Sequence, residues 1–138
     1  MTALMVTIIS GQSKNFRVNK DPYTLFIDDE REQSAEHRFD VTVRSYEEAK
    51  ALFEARGFPY MVSFDHDLGT EKTGYDIAKL MVEMELLGIR QFPQSFIAVV
   101  HSQNPIGKKN IEEYLRNYFE VRNEIDAADQ PDEPPKEV

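Results

Sequence analysis

A chain of 138 residues with 41% hydrophobic and 30% charged side chains carries enough apolar material for one globular core. Its formal charge of −9 leaves no basic stripe to track phosphates, which excludes long duplex DNA and leaves a short RNA end or a small phosphoester as ligand. No apolar run reaches the roughly 18–20 residues that cross a bilayer, "MTALMVTIIS" lacks the basic flank of a signal peptide, and the absence of cysteine excludes disulfides and fits the cytoplasm.

In chain order, residues 1–22 read as an N-terminal extension in which "MVTIIS" predicts an edge strand and "GQSK" its turn. "YTLFID" (23–28) is a short apolar run that ends in acids, a strand. "FDVTVR" (39–44) alternates Phe39, Val41 and Val43 with polar partners, as a half-buried strand does. Ser45 followed by Glu48 is a capping box that opens a helix with Ala49, Leu52 and Phe53 on one face and Gly57 as its stop. Pro59 hands over to the strand "YMVSFD" (60–65). Thr73 and Asp76 open a second helix, whose Ile77, Leu80, Met81 and Met84 face inward and which ends near Gly88. "SFIAVVH" (95–101) is an apolar strand, and "GKKNIEEYLRNYF" a last helix with Ile111, Tyr114, Leu115, Tyr118 and Phe119 on its apolar side. Residues 120–138 hold seven acids, two bases and several prolines, so an acidic disordered tail is expected there, after a domain over 23–119.

Strands that alternate with single helices imply right-handed crossovers and a parallel α/β sheet. The four core strands, counted along the chain, should take the order 2-1-3-4. In such sheets the ligand sits beyond the carboxyl ends of the strands. Those ends carry Asp28 and Asp29; Asp65, His66 and Asp67; and His101 and Ser102. Loop acids are usually just solvated, but three clusters at three strand ends, with two of the three histidines, argue for a site. His37 falls outside this pattern and reads as a surface residue.

Two resemblances compete on these residues. "LFIDDE" followed by an Asp two strands on resembles the response-regulator receiver, which implies Asp28 and Asp29 as the acidic pair, Asp65 as phospho-acceptor and Asp67 as a further metal-ligand position. Gly74 and Ser102 match receiver positions too. Departures are a connection from Glu30 to Arg38 too short for the usual first helix, a missing fifth strand with its lysine, and the histidines. "FDHDLGT" also resembles the haloacid-dehalogenase-like phosphatase signature, but Leu68 intervenes before its Gly-Thr.

The set "LFIDDER", "SFDHDLG", "TGYDIAKLMVE" and "HSQNPIGKKNIEEYL" is similar to the cyclic-phosphate-processing receiver-like family of bacteria and phages, over roughly residues 23–119. That resemblance implies a receiver-like fold, a role in RNA repair, and a site of Asp28, Asp29, Arg31, Asp65, His66, Asp67, His101, Ser102 and Asn104. Opening a cyclic phosphodiester needs activated water, charge stabilisation and a proton for the leaving oxygen. Asp28, Asp29 and Asp65 offer oxygen ligands for Mg²⁺ or Mn²⁺, and His66 and His101 suit general acid and base in either assignment. Ser102 and Asn104 can donate to phosphate oxygens. The helix start near Gly107 offers free N–H groups to an anion, and Lys108 or Lys109 could replace the receiver lysine. Arg31 either clamps phosphate or pairs with the acids. The expected function is thus a metal-dependent phosphoesterase for 2′,3′-cyclic RNA ends or cyclic nucleotides. Its alternative is a degenerate receiver that accepts phosphate or binds a protein partner.

Overall fold

The structure, a computed structural model, describes residues 6–9, 21–33 and 38–129. Its elements follow the chain as β1 (Val6–Ile9), β2 (Thr24–Ile27), β3 (Val41–Val43), α1 (Tyr46–Arg56), β4 (Met61–Phe64), α2 (Gly74–Leu86), β5 (Ile97–Val100) and α3 (Pro105–Asp129). The "GQSK" turn and His37 lie outside the described residues. The sheet order is β1-β5-β4-β2-β3, so the four parallel core strands take the expected 2-1-3-4 arrangement. This is a receiver-like, flavodoxin-like α/β fold. The expected N-terminal edge strand is present as β1, antiparallel to β5.

Strand alternation sorts the side chains into two faces. Leu25, Ile27, Val62, Phe64, Ala98 and Val100 join Phe53 of α1, Ile77 and Met81 of α2, and Ile111 and Leu115 of α3 in one core. The crossovers from β3 to β4 and from β4 to β5 step the same way across the sheet, so right-handedness puts α1 and α2 on that face. The connection from β2 to β3 steps back and runs over the opposite face, where the ring of Phe39 lies 5.7 Å from that of Phe26. The described residues of that connection contain no helix, in line with the short spacing read from Glu30 to Arg38.

The helix ends follow local chemistry. Ser45 Oγ accepts from the Glu48 N–H, but the Glu48 carboxylate accepts from Arg44 rather than from Ser45 itself, one residue outside the reciprocal box. Thr73 and Asp76 do form the full box. Burial works to raise the Asp76 pKa, but hydrogen bonds from the Thr73 N–H and hydroxyl and from Lys79 outweigh it and hold the carboxyl below the usual range. A lowered carboxyl contributes stability that is present above its ordinary pKa and lost as pH falls through the lowered one. Thr73→Ala should cost about 1 kcal/mol in denaturant melts at neutral pH, with a smaller difference in strong acid.

The last helix departs from expectation at both ends. It opens at Pro105, two residues before Gly107, because Asn104 caps it and proline suits a first helical position. It continues to Asp129, so that the first ten residues of the expected acidic tail, 120–129, are helical. Composition suggested no anchor there. Arg122 supplies one, pairing with Glu85 of α2 at 2.9 Å, while Glu85 also accepts from the Tyr118 hydroxyl at 2.5 Å and the Phe92 N–H at 2.6 Å. No helix of the described residues is long and apolar enough to cross a membrane.

Candidate active site

Register builds the site. Ile27, Phe64 and Val100 sit side by side on neighbouring strands, and the ladder continues one residue further, with Asp65 N–H donating to Ile27 O and His101 N–H to Phe64 O, both at 2.9 Å. The next side chains are therefore Asp28, Asp65 and His101, level with one another. One ligand atom from each lies within 4.8 Å of the others, and all three side chains are buried.

Such a group needs compensation. Asp28 Oδ1 accepts from the backbone N–H groups of Arg31 at 2.8 Å and Glu30 at 3.0 Å, and Oδ2 lies 2.9 Å from His101 Nε2. Burial pushes the Asp28 pKa up, but those two N–H groups and His101 together hold it below the ordinary carboxylate range. Asp65 moves the other way: burial and then the Asp28 charge push it up, against His101, Arg31 and the Ser102 hydroxyl. Burial pushes the His101 imidazole down despite Asp28 and Asp65. Arg44, at the end of β3, ties the loop from beneath by donating to Asp28 O at 3.0 Å and Arg31 O at 2.7 Å.

Over this group opens a cleft of about 320 Å³ lined by Asp28, Asp29, Glu30, Arg31, Asp65, Asp67, Gly69 and Gln103. Arg31 is its one cationic lining residue, and its guanidinium makes no ion pair among the described residues. Five carboxylates around one guanidinium would repel an anionic substrate unless a cation intervened. The donor set of two buried carboxylates and an imidazole, with further acids at the rim, fits a divalent cation.

The other expected residues fall into two groups. Asp29 and Asp67 line the cleft, as expected, while neither histidine does. The ring of His101 is held at both nitrogens, Nδ1 standing 2.6 Å from Ser63 Oγ. His66 packs against the start of α3, its Nδ1 2.8 Å from Asp67 Oδ1. A methyl group at Gly107 would come within 2.3 Å of that ring, so only glycine admits it. Gly107→Ala should displace His66 with little effect on the distant core, visible as a shifted His66 imidazole signal in NMR and an almost unchanged Tm.

Ser102 and Asn104, both expected phosphate donors, are engaged in local bonds. The Ser102 hydroxyl works to lower the Asp65 pKa and accepts from the Asn104 N–H at 3.1 Å. Asn104 Oδ1 accepts from Ile106 and Gly107 at 3.1 and 3.0 Å, and its Nδ2 lies 3.5 Å from both Asp67 oxygens. Those cap bonds also consume the helix N–H groups that sequence offered to an anion. Lys108 does not line the cleft, and Lys109 pairs with Glu113 at 3.8 Å. Sequence reading missed Gln103, Arg44 and Ser63. For Ser63 a signal existed, since it is the one polar side chain inside "MVSF" and a buried polar group needs a partner.

Comparison with known proteins agrees with this architecture. No curated protein and no solved structure was found to match. Residues 23–117 match the family described as cyclic-phosphate processing receiver domain, a span from the start of β2 to well inside α3 that includes every residue of the cleft. The chain belongs to the cyclic-phosphate processing receiver domain family.

Proposed function

We propose that this chain is a metal-dependent phosphoesterase that opens cyclic phosphates, either 2′,3′-cyclic RNA ends or cyclic nucleotides, in the cytoplasm during RNA repair or phage–host conflict. The observation that carries the reading is the acidic cleft over buried Asp28, Asp65 and His101 with Arg31, which makes no ion pair among the described residues, at its wall. Asp28 and Asp65 hold the divalent cation, with Asp29 and Asp67 at the rim. When bound, Mg²⁺ or Mn²⁺ supplies charge neutralisation for phosphate oxygens and lowers the pKa of a water.

The chain's own groups do the rest. Arg31 clamps the non-bridging oxygens, and Gln103 donates its amide to the ester from the cleft wall. Water adds to phosphorus and gives up one proton, one ring P–O bond breaks, and the freed ribose oxygen takes up a proton in exchange. His66 is the group suited to that transfer: it does not line the cleft itself, but Asp67, which does, holds its Nδ1 and leaves Nε2 without a hydrogen bond among the described residues. His101, held at both nitrogens, is suited to orienting Asp28 rather than to shuttling protons.

The test is direct. Purified protein with a 2′,3′-cyclic nucleotide and either cation should yield the linear monoester, and chelator should stop it. No ring opening with either cation, together with phosphoryl transfer from acetyl phosphate to Asp65, would instead support the phospho-acceptor alternative.

A further inference from the structure

We infer that Ser63 is a positioning residue whose hydroxyl aims the His101 imidazole at the Asp28 and Asp65 carboxylates, so that the site takes a first-row transition ion through a nitrogen ligand. This deepens the phosphoesterase reading and rests on its cation.

Ser63 sits in the middle of β4 and is 1% exposed, on the sheet face opposite the main core. Nothing about a parallel strand calls for a hydroxyl there; its neighbours on that face are Phe26 and Val99. The hydroxyl is spent on one contact, 2.6 Å to His101 Nδ1. Phe26 adds a second restraint, its ring stacked on the imidazole at 4.8 Å and 5°. Stacking fixes the plane of the ring, and the hydroxyl fixes its rotation within that plane. Nε2 then has one direction left, toward the carboxylates, 2.9 Å from Asp28 Oδ2.

A hydroxyl both donates and accepts, so Ser63 satisfies Nδ1 in either tautomer. With a proton on Nε2, that N–H donates to Asp28 and Nδ1 accepts from Ser63. With the proton on Nδ1, it donates to Ser63 and the Nε2 lone pair is free for a cation. An alanine serves neither state. A histidine with one nitrogen anchored and the other facing two acids is the usual arrangement of a metal ligand and its outer partner. Imidazole shifts preference from Mg²⁺ toward Mn²⁺, Co²⁺ and Zn²⁺. Ser63 does not line the cleft, so it does not act as a nucleophile.

The experiment uses the full chain after chelator treatment and measures cation binding without substrate. In protein carrying ¹⁵N-labelled histidine, Zn²⁺ should move the His101 Nε2 resonance strongly, a result that needs no variant. By titration calorimetry, Ser63→Ala should weaken Co²⁺ by about ten- to hundredfold, leave Mg²⁺ within about twofold, and be largely rescued by Ser63→Thr. An unmoved His101 resonance, or equal losses for Co²⁺ and Mg²⁺ in Ser63→Ala, overturns the inference. If ring opening persists in that case, the phosphoesterase reading stands alone. If the nitrogen shift is seen but no cyclic phosphate opens, the reverse holds.

Discussion

His66→Ala should slow opening of a 2′,3′-cyclic phosphate by roughly 10²–10⁴-fold, the range a positioned acid–base group contributes. The ring stands beside Gly107 at the start of α3 and is not part of the buried apolar core, so the fold should survive, with an unchanged circular dichroism spectrum. His66→Gln is the sharper variant. It keeps an amide hydrogen bond to Asp67 but cannot exchange a proton near neutral pH, so its rate should match alanine's. A near-native rate in His66→Gln would show that the ring only fills space beside Gly107. His101→Gln should fail differently, because that ring orients Asp28: the loss should appear in the cation concentration needed, and excess cation should recover part of it.

The second large effect is on stability. Asp65 is a buried carboxyl beside Asp28, and a carboxyl whose folded pKa is raised opposes folding while ionised. That opposition is present at neutral pH and relieved as pH falls through the raised pKa. Asp65→Asn should therefore stabilise the chelator-treated protein by about 0.5–2 kcal/mol, or roughly 2–8 °C in Tm per kcal/mol for a domain of this size. A cation at a hundred times its Kd should add about 2.7 kcal/mol to wild type and almost nothing to Asp65→Asn or to Asp28→Asn combined with it. Equal thermal shifts in wild type and double variant would contradict the cation cradle.

Period and punctuation made most of the fold legible. "FDVTVR" and "YMVSFD" announced strands by alternation and apolar run, and Thr73 with Asp76 marked a helix start to the residue. Because β2, β4 and β5 run parallel in matched register, their last residues share a level, and the convergence of Asp28, Asp65 and His101 followed from order alone. Side-chain allegiance was not legible. Asn104 is a phosphate donor by residue type and a helix cap by position, and only the start at Pro105 decides between them. His66 and His101 look equivalent in sequence, yet one ring stands against a helix start and the other lies beneath the cleft on Phe26. Arg122 and Glu85 are far apart in the chain, and no local pattern could announce that their pairing extends α3 into an acidic stretch.

The antiparallel seat of β1 beside β5 has a consequence for how the molecule is made and cut. The strand synthesised early finds its partner only after most of the sheet has been translated, so the pairing closes a very long loop and comes late in folding. Until then β5 is a bare edge of apolar residues with unpaired backbone groups, a template for pairing with another chain. A fragment that begins at residue 23 keeps every cleft residue and loses that cover. Its weakness is then solubility rather than chemistry, and the segment ahead of β2 serves the domain as a guard against its own aggregation.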